Sequence, residues 1–63
     1  MNLDIAQGKW RQLTGKVKQK WAELSNDEIA DIEGKFENFY GTMQEKYGMT
    51  KEEAERAFEE LSH

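Results

Sequence analysis

The chain says the same thing twice. Gly8-Lys9-Trp10-Arg11-Gln12-Leu13-Thr14-Gly15-Lys16-Val17-Lys18-Gln19-Lys20-Trp21 returns 26 residues later as Gly34-Lys35-Phe36-Glu37-Asn38-Phe39-Tyr40-Gly41-Thr42-Met43-Gln44-Glu45-Lys46-Tyr47. Gly8, Lys9, Gly15 and Lys20 recur unchanged. Trp10, Leu13, Val17 and Trp21 recur as Phe36, Phe39, Met43 and Tyr47, apolar each time but never the same residue. Such self-similarity marks one supersecondary unit used twice. A unit of this size cannot bury its own apolar stripe, so the two copies are expected to cover each other.

The apolar spacing makes the unit helical. Trp10, Leu13, Val17, Trp21 and Leu24 are separated by steps of three and four, which place them on one helical face. Leu3 and Ala6 extend that face backwards. Ile5 does not fit it, so the first turns are expected to bend or to stand apart. Asn2 or Asp4 can cap this first helix. In the second copy Ile29, Ile32, Phe36, Phe39, Tyr40, Met43 and Tyr47 make the stripe. Ala54, Ala57, Phe58 and Leu61 line a last, shorter helix, beyond which residues 61–63 are expected to fray.

Two stops are written in cap chemistry. Ser25-Asn26-Asp27-Glu28 and Thr50-Lys51-Glu52-Glu53 are both capping boxes. In each, a hydroxyl meets the N3 backbone donor and a Glu reaches back to the cap. Leu24 and Ile29 stand where a hydrophobic staple would put them. Gly48 can take the left-handed conformation that closes a helix, and Gly34 either splits its segment or softens it. Each unit is therefore a long amphipathic helix, a cap and a shorter helix, with the repeat running over about residues 8–33 and 34–61. The expected fold is all-α, one domain of four to five short helices packed as two α-hairpins. A three-helix bundle is the alternative.

Gly8 and Gly15 are seven apart, as are Gly34, Gly41 and Gly48. An interior helical Gly costs about 0.5–1 kcal/mol against Ala. Close helix crossing over the glycine side, deliberately weak helices, or plain breaks between short helices would each account for them. A phosphate-cradling loop would not, because no strand and no glycine cluster precede a helix here.

Residues 1–24 hold Lys9, Arg11, Lys16, Lys18 and Lys20 against Asp4 and Glu23, whereas residues 25–63 hold four basic residues against eleven acidic ones. One half can simply face the other. Alternatively, the five basic side chains form a surface for an anionic partner. Interleaved with Trp10 and Trp21, they have the composition of a nucleic-acid or anionic-membrane surface. However, both tryptophans lie on the stripe expected to be core, and the chain as a whole is net -4.

Met1-Asn2, Gly8, Trp10, Gly15-Lys16-Val17-Lys18, Trp21, Leu24, Asp27, Glu33-Gly34-Lys35, Gly41, Gln44, Tyr47-Gly48 and Glu53-Ala54 together resemble the CsbD-like family of small bacterial general-stress proteins. The resemblance spans nearly the whole chain. It implies two orthogonally packed α-hairpins similar to SAM-like domains, cytoplasmic expression raised under stress, and no catalytic residues to carry over. Phe36, Phe39 and Tyr40 depart from the charged or aliphatic residues usual there, which implies a larger core in the second unit.

Other function classes find little material. His63 is the only His and there is no Cys, so no His-based dyad, transition-metal site or disulfide framework can be assembled. No cofactor is implied. The acidic runs Glu52-Glu53-Glu55 and Glu59-Glu60 read as solvated helix faces, in a chain of 63 residues that is short for a deep pocket. No apolar run approaches the ~20 residues of a membrane span. A mean hydropathy of -1.01 resembles hydrophilic protectants that work partly unfolded, but the capping boxes and aromatic stripes argue for a folded state. The expectation is a cytoplasmic, monomeric, non-enzymatic stress protein with a structural or protective role. The alternative is a binding module that uses the basic first helix. The partner, protein or nucleic acid, is left open.

Overall fold

A computed structural model describes residues 3–62, which form four α-helices: α1 (Gln7–Lys20), α2 (Asn26–Ile32), α3 (Phe36–Tyr47) and α4 (Lys51–Leu61). No strand occurs among the described residues, and the class is all-α. α1 packs on α2 and α3 on α4 as two hairpins, which meet through α2 on α3 and α1 on α4.

The three-helix alternative fails at residues 33–35. Glu33 ends α2 at φ 56° and Gly34 follows at φ 75°, two successive left-handed residues that turn the chain out of the helix. Gly34 is obligatory there for a second reason. A Cβ on it would stand 2.2 Å from the Ile5 carbonyl oxygen, which is backbone and cannot swing aside. Gly34 therefore splits the segment rather than softening it. Gly48, at φ 63°, closes α3 in the same left-handed conformation.

Both capping boxes form. The Ser25 hydroxyl accepts from the Glu28 N–H at 3.1 Å while the Glu28 carboxylate accepts from the Ser25 N–H at 2.9 Å. Thr50 and Glu53 do the same at 3.2 and 2.9 Å. α1 starts differently from the sequence expectation. Its cap position is Ala6, with no side-chain hydrogen bond. Asp4 instead serves another helix, its Oδ1 accepting the Phe36 N–H at 2.9 Å at the start of α3, where Lys35 supplies no side-chain cap. Asn2, the other proposed cap, and His63 lie outside the described residues.

The segment before α1 is a strap. Ile5, off the helical stripe, is nonetheless buried, because the non-helical residues 3–6 are tied to the α2–α3 junction. There the Ile5 N–H donates to the Gly34 carbonyl at 2.7 Å. Ala6 is exposed rather than part of the stripe.

The core takes side chains from the strap, every helix and the α1–α2 turn. Trp10, Val17, Trp21, Leu24, Ile29, Ile32, Phe36, Phe39, Met43, Ala54, Phe58 and Leu61 are buried with Ile5, and among the described residues no polar or charged side chain is buried with them. Phe58 of α4 is the hub. Its ring lies 4.9 Å from Phe39, 5.6 Å from Phe36 and 6.1 Å from Trp10, linking α4 to both long helices. Trp21 meets Phe39 edge-on at 5.6 Å.

Three expectations are corrected. Tyr47, the repeat partner of Trp21, is exposed at the last residue of α3, where its hydroxyl accepts the Glu23 N–H at 3.3 Å. Leu61 does not fray. It is 1% exposed, and the Ser62 N–H and hydroxyl close α4 onto the Glu59 carbonyl. Nor do glycines mediate helix crossings at Gly8, Gly15 and Gly41, where an added Cβ would meet nothing within 4 Å.

Candidate functional site

α1 holds the basic residues singled out by the sequence, and its shape decides what they can do. The helix turns Trp10 and Val17 inward, with Leu13 half-buried beside them. The Trp10 indole N–H donates to the Ile29 carbonyl at 3.0 Å. That carbonyl is left over because the Glu33 N–H bonds Ala30 instead. One aromatic residue thus fills the core and fixes α1 against α2. Neither Trp10, 2% exposed, nor Trp21, 7% exposed, offers a face for stacking.

The five cations do not act as one set. Lys18, partly buried, donates to the Leu24 carbonyl and ties down the turn between α1 and α2. Lys20 pairs with Glu60 of α4 at 3.3 Å and lies 5.2 Å from the Trp21 ring centroid. Its repeat counterpart Lys46 pairs with Glu28 of α2, also at 3.3 Å. Each unit's long helix therefore sends one lysine to the other unit's short helix. Of these two pairs, Lys20–Glu60 joins the basic half of the sequence to the acidic half, while Lys46–Glu28 lies within the acidic half. The attraction is modest, because Lys20 and Glu60 are largely exposed.

Lys9, Arg11 and Lys16 remain. All three are exposed, and among the described residues their side chains have no hydrogen-bond or ion-pair partner. Gly8, Gln12, Gly15 and Gln19 lie between them on the outward side, all exposed. Sequence reading passed over Gln12 and Gln19, although a helical wheel places both opposite Trp10. It also missed the internal duty of Lys18, which carries no sequence signal beyond its closeness to a turn.

The remaining titratable groups of note serve the fold. The Ser25 backbone N–H holds the Glu28 carboxyl below the ordinary carboxylate range, helped by Lys46 and opposed by partial desolvation. The Thr50 backbone N–H, with its hydroxyl, lowers Glu53 in the same way. Among the described residues, no group of three or more His, Cys, Asp or Glu is placed to hold a metal ion. No described helix is long and apolar enough to cross a membrane. A cleft of ≈ 430 Å³ lies between the strap and the starts of α3 and α4. Its lining mixes Asp4, Glu37 and Glu55 with Lys35, Lys51 and the edge of Phe36.

Comparison with known proteins gives a consistent picture. A family model described as CsbD-like matches residues 4–56. A UPF0337 protein of Bordetella pertussis is 53% identical over 61 residues, covering 97% of this chain and 92% of the relative. A UPF0337 protein of Pseudomonas aeruginosa is 44% identical over 62 residues, covering 98% and 95%. The UPF0337 protein YjbJ of Escherichia coli K12 is 46% identical over 56 residues, covering 89% and 81%. No solved structure matches the chain significantly. With the family model and these relatives each spanning most of its length, the chain belongs to the CsbD-like family, a family of the general stress response.

Proposed function

We propose that this protein is a cytoplasmic, non-enzymatic component of the stress response that works as a folded particle in a structural or protective role. Membership of the CsbD-like family is the observation that carries the reading. The structure adds physical support, because the polar chemistry near the surface is largely spent on building the fold. Ser25, Glu28, Thr50 and Glu53 cap helices, Asp4 caps α3, and Lys18, Lys20 and Lys46 tie elements together. The apolar core of the described residues supports a folded mode of action over that of hydrophilic protectants that act while unfolded.

The test has two arms. Removing the gene from its host should lower survival after drying or osmotic shock, and restoring the parent chain should recover it. A Phe39→Asp variant, with a charge placed in the core, should fail to restore it. Unchanged survival on gene loss would overturn the stress role. Full rescue by the core-disrupted variant would overturn the folded mode of action.

A further inference from the structure

α1 carries five basic residues and no acidic one, whereas the rest of the chain carries four basic and thirteen acidic residues. Fold duties absorb two of those five cations. The unpaired ones stand on the solvent-facing half of the helix, Lys9 and Lys16 along one edge and Arg11 along the other. Lys9 and Lys16 are two turns apart, about 10 Å along the axis. Between the two edges the surface is uncharged, formed by Gln12, Gln19 and two glycines. These three unpaired cations along the edges of one helix face, on a chain that is otherwise strongly acidic, suit an anionic partner.

The buried half of α1 decides which one. An amphipathic helix binds a lipid surface through its apolar face, but Trp10 and Val17 have already turned that face into the core. Single-stranded nucleic acid is held by stacking on exposed aromatics, and both tryptophans are buried. The A-form duplex presents a deep, narrow major groove that a helix cannot enter. B-form DNA presents a major groove about 12 Å wide, which admits a helix of about 10–12 Å diameter.

The geometry points to α1 as a docking helix for B-form DNA. Its outer face enters the major groove, Lys9 and Lys16 meet the phosphates along one wall, and Arg11 meets those along the other. The recognition is of backbone rather than sequence. Acidic groups stand at both margins, Glu33 lining the same cleft as Arg11 and Glu60 beside Lys20. They keep the affinity within the non-specific range, a Kd of about 10⁻⁴–10⁻⁶ M at physiological salt. This partner goes beyond the stress-protein proposal, and its test is independent of survival.

The experiment is fluorescence anisotropy of a short, labelled, mixed-sequence DNA duplex titrated with the full chain from low to physiological salt. Three phosphate contacts predict saturable binding whose log K falls with log salt at a slope of about −3. Lys9→Gln with Lys16→Gln should reduce that slope by about 2, and Arg11→Gln alone by about 1. Lys51→Gln, on α4, should leave the slope unchanged. The three substituted side chains of α1 are exposed and have no hydrogen-bond or ion-pair partner among the described residues, so the variants should keep the parental circular dichroism. Four results would overturn the proposal: no saturation at low salt, an unchanged slope in the double variant, tighter binding to single strands or duplex RNA, or tighter binding to anionic vesicles.

Discussion

Phe58 does more for this fold than its place near the end of the chain suggests. One ring from α4 lies against Trp10, Phe36 and Phe39, so it joins the two long helices that the repeat generates. Phe58→Ala should cost about 3–5 kcal/mol, which in a 63-residue domain is enough to unfold much of the population. Chemical denaturation of the variant checks this, and a midpoint equal to the parent's would remove Phe58 from the hub. The glycines give a sharper contrast. Gly34→Ala puts a methyl into the Ile5 carbonyl at a positive φ and should destabilise by more than about 1 kcal/mol. Gly15→Ala adds a methyl in open space on a helix surface and should stabilise by about 0.5–1 kcal/mol. Thermal melts of the two variants should therefore move in opposite directions. Shifts of the same sign would contradict the backbone described at Gly34.

Among the elements, those with local signals were the legible ones. A capping box needs four adjacent residues, so Ser25 to Glu28 and Thr50 to Glu53 announced the starts of α2 and α4 directly. The apolar stripe announced which face of α1 and α3 is buried. What could not be read depended on residues far apart in sequence. Asp4 looked like a cap for its own helix but caps α3, 32 residues away, because the strap crosses the α2–α3 junction. Ile5 broke the stripe and yet is core for the same reason. Tyr47 continued the stripe and yet is exposed, since helical periodicity says nothing about where a neighbouring helix stops. The candidate surface was legible only as five cations. The division into three free and two employed needed the turn at Leu24 and the packing of α4.

The caps also give the elements a pH dependence. Glu28 and Glu53 are lowered in the folded state, mainly by backbone N–H donors of Ser25 and Thr50. A carboxylate depressed on folding contributes stability that is fully present above its unfolded pKa, about 4.3. That contribution is lost as pH falls through the folded value. The melting temperature should therefore be flat near neutrality and begin to drop below about pH 5. Ser25→Ala and Thr50→Ala, which keep the backbone N–H, should each cost about 1 kcal/mol at neutral pH as lost caps. Glu28→Gln and Glu53→Gln, which remove the titrating groups, should blunt the acid loss. An acid profile identical in the parent and both Gln variants would show that other carboxylates control it.

At the scale of the molecule, two hairpins share one apolar core, and reciprocal lysines, Lys20 to Glu60 and Lys46 to Glu28, cross between them. The mean hydropathy of -1.01 belongs to a chain with little apolar surface to spare. It folds because nearly all of that surface is concentrated on the inward faces of four short helices. The same arrangement leaves α1 with Trp10 and Val17 inside and Lys9, Arg11 and Lys16 outside. The most direct test is the tryptophan emission of the full chain in dilute buffer, with acrylamide quenching, followed through a thermal melt. The structure predicts blue-shifted emission that resists quenching and is lost in one cooperative transition together with the helical circular dichroism. Red-shifted, freely quenched emission with no cooperative transition would mean that Trp10 and Trp21 are not core, and the folded particle described here would not exist in solution.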